Sequence, residues 1–463
     1  MESLEDRKMI KEKRERQGFA SSLGVVLATA GSAIGAGNIW RFSYVTGKYG
    51  GGAFLLFYLA IVFLVGTPLM LSELAIGRRG GKDAVSSFKE LSPNKRWYLS
   101  GALGIITSFI ILGYYIVVAG WSFKYFIAFL TNSFQGQTSE EISGFFGQFV
   151  SQSIQPIIYT FVILAITYFI VSKGVNKGIE KASNIIMPVL LMLLILLAIR
   201  SLSLENAYLG LDFLFKPDFK AFFNDKDAIL TAIGHSFYSL SIGMGIMITY
   251  GSYVNKNENL FSSVAKISVL DTLVAILSGV VIFPAVFSFG IEASQGPGLV
   301  FASLPNIFQS MWGGQFFGAM FFLLFTFAAL TSTISLLETS VSFLVDNKKM
   351  DRKKASLLSS LGIAIIAVFA SLSMGLLSDI SILGRNLFDF LDYITSNFFL
   401  LFVALIEVIY LGWFYPKKEL MDEVTNQGKF GMRIKEVYYF LLKFILPLVI
   451  ILIFLYNNGL LFN

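Results

Sequence analysis

Eleven apolar runs, each long enough to cross a lipid bilayer, limit what this chain can fold into. They cover residues 19–42, 51–77, 98–130, 156–172, 183–200, 228–253, 263–290, 316–345, 355–377, 387–414 and 436–457. A helix needs about 20 predominantly apolar residues to span the hydrocarbon core of a membrane. Hydrophobic residues make up 55% of the 463 and charged residues only 14%, which is typical of a multi-pass membrane protein and not of a soluble domain. The sequence therefore predicts an all-α membrane protein with eleven spanning helices.

The residue composition excludes several classes of site. The chain has no cysteine and one histidine, which argues against a thiolate or histidine metal centre. It has no G-x-x-x-x-G-K loop for ATP, and no nucleophile with a neighbouring base, so neither a pump nor an intramembrane enzyme is predicted. We attribute the net charge of +6 to the membrane loops and not to nucleic-acid binding.

Lysine and arginine predict the orientation of the chain in the membrane. The segments 78–96 and 348–354 are rich in both residues, whereas 131–155 and 291–315 contain neither. Positively charged loops face the cytoplasm, so we expect a cytoplasmic N-terminus. The loop 201–227 contains three lysines and is an exception, but long loops obey this rule poorly.

The first apolar run is interrupted at its centre by AGSAIGAGNIWRF, residues 30–42. Glycine lowers helix propensity and polar groups are costly in hydrocarbon, so the helix should break where it lines a protected cavity. Freed carbonyls at a break can coordinate a cation, and freed amides can bind an anion. The alternative is a helix-packing face, because Gly31 and Gly35 form a G-x-x-x-G pair. Packing, however, explains neither Asn38 nor Arg41.

A second interruption lies in the sixth run, where HSFYSLSIGMG places serines and glycines among apolar residues. Paired interruptions at corresponding positions of two halves point to a transporter built from inverted repeats, here with five helices each. We therefore divide the chain into a cytoplasmic tail (1–18), a first repeat (19–200), an extracellular loop (201–227), a second repeat (228–414), and a cytoplasmic loop with the eleventh helix (415–463).

Eight motifs identify a family. In order they are AGSAIGAGNIWRF; GGGAF with GTPLMLSELAIGRRGG; GYY; GIEKASNIIMP; SFYSLSIGMG with ITYGSYV; LDT; AALTSTIS; and LDY. Over nearly its whole length the chain resembles the neurotransmitter:sodium symporters, most closely their bacterial eleven-helix branch of hydrophobic and aromatic amino-acid transporters. The resemblance implies the leucine-transporter fold, with helices 1 and 6 broken, in a bacterial plasma membrane.

The resemblance also implies two sodium sites. The first would use the carbonyl of Ala33, the side chains of Asn38, Ser239 and Asp271, and the carboxylate of the bound substrate. The second would use the carbonyls of Gly31, Ile34 and Ala328 with the hydroxyls of Thr331 and Ser332. Sodium is a hard cation that prefers oxygen ligands, and the shared carboxylate would make sodium and substrate binding mutually dependent.

Asp271 stands where many relatives have asparagine. An ionised carboxylate here would supply the negative charge that chloride supplies in the animal members, so we expect chloride-independent transport. The alternative is a buried ion pair with Lys266. That lysine lies near the cytoplasmic end of its run, where its side chain can extend into water.

A substrate pocket is implied between the two broken helices. The amides near Ala36 and Gly37, with the Tyr115 hydroxyl, would hold the substrate carboxylate, and the carbonyls of Ala33 and Ser239 with the Ser241 region would hold its ammonium. Gly35 replaces the aspartate of amine-transporting relatives, which favours an α-amino acid. The side-chain pocket would be lined by Ile111, Tyr238, Met244, Ser332 and Leu336. These residues suit tyrosine, tryptophan, phenylalanine or a leucine-like substrate.

Two gates and one unwinding segment follow from the same resemblance. Arg41 and Asp392 would form the outer gate. The inner gate would consist of Arg16, Ser252, Tyr253 and Asp346. Gly178, just before the fifth run, and Pro188, within it, weaken the helix and would let its cytoplasmic end unwind, although an ordinary kink is the alternative.

The remaining predictions concern two polar residues in apolar runs and the function of the chain. We expect His235 to be a neutral hydrogen-bonding partner; the alternative is that it gives transport a pH dependence around neutrality. We expect Glu73 to bond to unwound backbone near the sixth run. The predicted function is sodium-coupled symport of hydrophobic L-amino acids by alternating access. A sodium-dependent amino-acid sensor without turnover is the alternative. A channel is disfavoured because two charged gates around a closed pocket block conduction, and an enzyme is not predicted.

Overall fold

The structure is a computed structural model that describes residues 18–93, 95–290, 299–431, 434–458 and 460. Over these residues the fold is helical, with no β-structure beyond two isolated bridges. The main helices, in chain order, are α1 (Ser22–Ala33), α2 (Gly37–Lys48), α3 (Gly52–Gly80), α4 (Ala84–Leu91), α5 (Tyr98–Leu130), α6 (Ser139–Val150), α7 (Gln155–Ser172), α8 (Val175–Leu202), α9 (Ala207–Phe215), α10 (Phe219–Asn224), α11 (Ala228–Ser239), α12 (Ile246–Gly251), α13 (Leu260–Ser288), α14 (Leu304–Ser310), α15 (Gly314–Asp346), α16 (Arg352–Leu372), α17 (Leu387–Phe414), α18 (Lys417–Val424) and α19 (Lys435–Asn457).

Nine helices in the described ranges are long and apolar enough to cross a membrane: α3, α5, α7, α8, α13, α15, α16, α17 and α19. The bent pair α1 and α2, with 55° between its halves, makes a tenth if it is counted as one span. The count of eleven and the two inverted repeats remain predictions.

The difference from eleven lies in the predicted sixth span, 228–253. It consists of the short helices α11 and α12 separated by residues 240–245. Ser241, Gly243 and Gly245 have positive φ angles of 54°, 76° and 67° in this break. Glycine adopts such angles without strain, and a Cβ on Gly243 would lie 2.6 Å from the carbonyl oxygen of Leu400. The break is therefore built into the sequence.

Helix starts follow from capping residues. Side-chain oxygens accept hydrogen bonds from first-turn amides at the N-termini of α1, α4, α13, α16 and α17; the capping residues are Ser21, Asp83, Asn259, Asp351 and Asn386. Such caps satisfy amides that have no partner within the helix.

α15 is the central helix. The most apolar 18-residue window of α15 is 89% buried, against 28% for the corresponding window of α19 at the periphery. α15 packs along α5, and α1 packs against α8, α13 and α15. Both α11 and α12 pack on α3. This arrangement holds the two broken helices in the interior.

Candidate functional site

The two helix breaks enclose a buried cavity with roughly 350 Å³ of empty space. Its lining residues are Ser32, Ala33, Gly35, Gly37, Asn38, Ile111, Tyr115, Tyr238, Ser239, Ser241, Met244, Ile246, Ser332, Ser335 and Leu336. Every predicted substrate-site residue except Ala36 is among them. Ser32, Ile246 and Ser335 were not predicted. Polar and apolar side chains both line the cavity, which suits a small molecule with polar and apolar parts.

The residues of the first predicted sodium site meet at one side of this cavity. Asn38 Nδ2 donates to Asp271 Oδ1 at 2.7 Å and to Ser239 Oγ at 3.1 Å. Ser239 Oγ donates to Asp271 Oδ1 at 3.0 Å. All three side chains are buried, and Ala33 lines the same cavity. Asp271 forms no ion pair within the described residues, so the alternative pairing with Lys266 is not found.

Tyr58 of α3 joins this cluster and was not predicted. Its hydroxyl lies 3.2 Å from Asp271 Oδ2 and 3.1 Å from Ser239 Oγ, and the residue is fully buried. A buried carboxylate needs several hydrogen-bond donors to remain ionised. Asn38 and Tyr58 are two such donors: Asn38 donates to Oδ1 of Asp271 and Tyr58 to Oδ2.

The residues of the second predicted sodium site also come together, between α1 and α15. Thr331 Oγ1 lies 3.4 Å from the Ile34 carbonyl oxygen and 2.9 Å from that of Ala328. Ser332 Oγ lies 3.4 Å from the Ala328 oxygen. A Cβ on Gly31 would lie 3.3 Å from the Thr331 Cβ. The Thr331 hydroxyl and the Ile34 carbonyl therefore meet between the two helices, with Gly31 beside them.

The glycines of the first break leave no room for side chains. A Cβ on Gly35 would lie 2.6 Å from Ser332 Oγ and 3.1 Å from the Tyr115 hydroxyl oxygen. A Cβ on Gly37 would lie 3.2 Å from the Tyr238 ring. Ala36 N donates to the Tyr115 hydroxyl at 3.0 Å. The predicted carboxylate-binding amide and hydroxyl are thus adjacent and bonded to each other.

Three serines link the two breaks to α15. Ser32 Oγ lies 2.8 Å from Ser335 Oγ, and Ser241 Oγ donates to the Ser32 carbonyl oxygen at 2.9 Å. Of these, only Ser241 was predicted. Ser32 and Ser335 lie within the motifs AGSAIG and AALTSTIS, in which only other residues were predicted to bind sodium or substrate.

Arg41 and Asp392 line a larger cavity that adjoins the first one at Gly37, Tyr115 and Tyr238. It holds about 1060 Å³ of empty space, and Ala36 is part of its wall. The Arg41 guanidinium lies 5.3 Å from the Tyr238 ring centroid. The Asp392 carboxylate accepts from the Tyr114 hydroxyl at 3.0 Å. Within the described ranges no ion pair of 4 Å or less joins the two predicted outer-gate residues.

The predicted inner gate lies at the opposite end of α1, and its member Arg16 falls outside the described residues. Asp346 Oδ2 accepts from the Asp83 amide at 2.8 Å. The Tyr253 hydroxyl donates to Glu338 Oε1 at 2.5 Å, and Glu338 forms an ion pair with Arg352 of α16.

Two further contacts hold this end of the molecule together. Ser252 Oγ donates to the Thr249 carbonyl oxygen at 2.5 Å, within its own broken helix. Phe19 N donates to the Tyr253 carbonyl oxygen at 3.0 Å, and the Phe19 ring packs edge-on against Tyr250 and Tyr253. Tyr253 of the predicted inner gate therefore lies beside the start of α1.

The predicted unwinding segment is helical in this structure. Gly178 lies in a π-helical turn, Val175–Glu180, and Pro188 lies inside the α-helix that follows. A Cβ on Gly178 would lie 2.0 Å from the Ile170 carbonyl oxygen. The Glu180 carboxylate accepts from the Ala20 amide at 2.7 Å. The start of α8 is therefore bonded to the residues that precede α1.

Of the two buried polar predictions, one is confirmed and one is wrong. Glu73 Oε1 accepts from the Gly243 amide at 2.8 Å, so Glu73 does satisfy backbone in the second break. His235 was expected to form hydrogen bonds, but among the described residues neither ring nitrogen has a partner. Its ring instead packs against Phe42 and Tyr58, at centroid distances of 6.1 and 5.1 Å.

Comparison with known proteins identifies the family. The chain matches the model of the sodium:neurotransmitter symporter family over residues 16–143 and 148–459. An uncharacterized sodium-dependent transporter of Bacillus subtilis is 38% identical, over 96% of this chain and 98% of the relative. One from Haemophilus influenzae is 35% identical, over 97% and 100%. The human sodium- and chloride-dependent GABA transporter 2 is 26% identical, over 90% and 77%.

Among solved structures, the chain is similar to MhsT in a crystal structure of its complex with L-phenylalanine. The TM-score is 0.88 and the sequence identity 42%, over 96% of this chain and 100% of MhsT. A similarity of this size covers the whole arrangement of helices.

Proposed function

The chain belongs to the sodium:neurotransmitter symporter family, and we propose that this sodium-dependent symporter carries a hydrophobic or aromatic L-amino acid by alternating access, without chloride. We further propose a bacterial plasma-membrane location with the N-terminus in the cytoplasm. The observation that carries the proposal is the cavity between the two helix breaks. Asn38 and Ser239 belong both to this cavity and to the cluster around Asp271.

The first coupled sodium ion would bind between the cavity and Asp271. Asn38, Ser239 and Asp271 provide side-chain oxygens, and Ala33 provides a carbonyl. The substrate carboxylate would complete this set of oxygen ligands. Sodium and the substrate would then each bind more tightly in the presence of the other. The negative charge of Asp271 balances the positive charge of sodium, so that chloride is not needed.

A second sodium ion would bind between α1 and α15. The carbonyls of Gly31, Ile34 and Ala328 and the hydroxyls of Thr331 and Ser332 supply five oxygens and no net charge. The 3.4 Å distance between Thr331 Oγ1 and the Ile34 carbonyl oxygen supports a site between the two helices. Binding there would hold α1 against α15.

The lining of the cavity supports a hydrophobic amino acid as the substrate. Ile111, Met244 and Leu336 give an apolar wall, and methionine adapts to side chains of different shape. The 2.6 Å distance between a Cβ on Gly35 and Ser332 Oγ leaves no space for an acidic side chain that would bind a substrate lacking a carboxylate. The likeness to MhsT, which was crystallised with L-phenylalanine, favours an aromatic substrate.

Access would alternate between the two ends of the cavity. Arg41 and Asp392 would approach each other to close the larger cavity over the substrate. At the other end, Ser252, Tyr253 and Asp346, with Arg16 of the tail, would separate, and unwinding at Gly178 and Pro188 would open a path to the second sodium ion. The substrate and the ions would then leave into the cytoplasm, and the sodium gradient would provide the driving force.

Uptake into proteoliposomes tests this function. Labelled phenylalanine, tyrosine, tryptophan and leucine would be offered under an inward sodium gradient, with potassium replacing sodium in the control and gluconate replacing chloride in a second series. We expect accumulation only with sodium and equally well without chloride. Sodium-dependent binding without accumulation would favour the sensor, and a requirement for chloride would contradict the role given to Asp271.

A further inference from the structure

Three basic side chains surround an open cavity at one end of α4. Lys89, Lys95 and Arg96 line this cavity together with Ser92 and Tyr98, and it holds roughly 510 Å³ of empty space. The three basic residues are exposed. Among the residues that the structure describes, none of their side chains takes part in an ion pair. Three positive charges therefore face one cavity without an acidic partner.

The nearest acidic residue along the chain does not neutralise this cavity. Glu90 follows Lys89 directly, but its carboxylate binds Lys82 at 2.8 Å on another side of α4. The Lys89 ammonium lies 5.2 Å from the ring centroid of Tyr98, a cation–π contact that holds it beside the cavity. α5 begins at Tyr98 without a side-chain cap and without an acidic residue in its first turn. The first turn of α5 therefore adds no negative charge to the cavity.

The surroundings of the cavity are those of a membrane interface. The Trp97 ring packs against Tyr410 and Phe414 at centroid distances of 5.2 and 5.0 Å. Phe414 is 65% exposed, and its neighbour Trp413 is 57% exposed. Amphipathic aromatic residues concentrate at the level of the lipid headgroups. The cavity thus lies where the phosphates of a bilayer would be.

An apolar surface leads away from the cavity along α5. Leu99 is 52% exposed and Ile106, about two helical turns further, is 50% exposed. Residues seven apart lie on the same side of a helix, so both face outwards on one stripe. A molecule that combines a negative headgroup with long apolar chains would match the cavity and this stripe at the same time.

We propose that Lys89, Lys95 and Arg96 bind the phosphate of an anionic phospholipid, whose acyl chains lie along the α5 surface at Leu99 and Ile106. Basic side chains at the membrane surface attract anionic lipids, and each contributes to binding. The apolar stripe distinguishes a lipid from a free anion, because inorganic phosphate would use only the three charges. The site is independent of the transport cycle proposed above.

Native mass spectrometry of the whole purified protein tests this site. The probes are dioleoyl phosphatidylglycerol and, for comparison, dioleoyl phosphatidylcholine. The test variant is Lys89→Gln/Lys95→Gln/Arg96→Gln. The matched control is Lys348→Gln/Lys353→Gln/Lys354→Gln, which removes three exposed positive charges at and just before the start of α16. We expect one retained phosphatidylglycerol on the wild type and on the control, and an affinity at least about 10-fold lower for the test variant.

Each other outcome contradicts the proposal. Equal loss of phosphatidylglycerol from both triple variants would mean a diffuse attraction to the total charge. Displacement of the lipid by millimolar inorganic phosphate, at constant ionic strength, would mean a site for free anions. Should the triple variant not fold, the single variant Arg96→Gln gives the same test, because a bound phosphate predicts severalfold weaker retention and an unchanged affinity would contradict it.

Discussion

The side-chain nitrogen Nδ2 of Asn38 donates to Oδ1 of Asp271 at 2.7 Å, which bonds the first turn of α2 to the middle of α13. Asn38 also faces the break, because its Oδ1 accepts from the Gly35 amide at 3.1 Å. The shape of the substrate cavity therefore depends on what Asp271 binds. A cation at Asp271 would compete for this carboxylate and would reposition Asn38, which gives coupling a direct structural route.

Replacing Asp271 with asparagine should weaken sodium binding. The change keeps the size of the side chain but removes the negative charge that would balance sodium. Because a hydrogen bond or ligand contact to a charged group contributes about 1.5–3 kcal/mol, we expect the sodium concentration for half-maximal uptake to rise about 10-fold or more, and chloride to stimulate the variant. Asp212→Asn, at an exposed site on α9, is the control. Unchanged sodium dependence would refute this role.

Replacing Tyr58 with phenylalanine should also weaken sodium binding, but less than Asp271→Asn does. The variant loses the hydroxyl that lies 3.2 Å from Asp271 Oδ2 and 3.1 Å from Ser239 Oγ. A typical hydrogen bond contributes about 1 kcal/mol, so sodium affinity should fall roughly five-fold. Tyr125→Phe removes another buried hydroxyl, bonded to the Phe301 carbonyl at 2.7 Å. If both variants lose the same sodium affinity, Tyr58 acts only through stability.

Replacing Gly35 with alanine should impair transport by overpacking the site. The new Cβ would lie 2.6 Å from Ser332 Oγ, and Ser332 belongs to the second proposed sodium site. Overpacking costs about 1–3 kcal/mol, so we expect substrate and sodium affinities to fall together when both are measured by equilibrium binding. Gly147→Ala in α6 is the control, because a Cβ there meets nothing within 4 Å. Normal binding by Gly35→Ala would contradict the proposed site.

Replacing Tyr238 with phenylalanine should move substrate preference toward aliphatic amino acids. The Tyr238 side chain lies between the two cavities and lines both, so that its hydroxyl is available to a polar substrate side chain. Competition of leucine and tyrosine against labelled phenylalanine would measure the ranking. Tyr44→Phe, which alters only the larger cavity, is the control. An unchanged ranking would show that the hydroxyl does not determine specificity.

The sequence predicted the long helices well because lipid imposes a simple rule on them. The third predicted run, 98–130, has the bounds of α5, and the eighth, 316–345, differs from α15 by one or two residues. The fifth run was predicted to start at 183, whereas α8 starts at Val175. The added residues form the charged segment VNKGIEK. Its Glu180 is buried, and the carboxylate binds the Ala20 amide and the Ser21 hydroxyl.

The candidate site was predictable where glycine and polar residues interrupt an apolar run, and elsewhere it was not. The two breaks and most of the cavity followed from such interruptions and from the family motifs. Tyr58 was missed because a tyrosine among apolar residues resembles ordinary core packing, and only the approach of α3 to α13 gives its hydroxyl a partner. His235 was assigned hydrogen bonds because buried polar groups usually have them, and its aromatic neighbours could not be foreseen from spacing.

Asp83, which lies outside the membrane-spanning segments, should make the stability of the protein depend on pH. Burial raises the pKa of its carboxyl above the ordinary value, the hydrogen bonds from Ser86 oppose this, and the charge of Asp346 adds to it. The folded state then holds the proton more tightly than the unfolded state. The stabilising contribution is therefore complete below the ordinary aspartate pKa of about 3.9 and is lost as the pH rises through the raised value.

Asp83→Asn should consequently raise the melting temperature at neutral pH. Asparagine caps helices as well as aspartate does, so the bonds that Asp83 Oδ1 accepts from the amides of Val85 and Ser86 at 2.9 and 3.2 Å are retained without the buried charge. The gain in melting temperature should shrink as the pH falls toward the ordinary aspartate pKa. Differential scanning calorimetry at neutral pH and near that pKa measures it. Asp218→Asn, at an exposed helix cap, is the control and should show no comparable gain. A gain that is independent of pH would mean that the charge of Asp83 has no part in it.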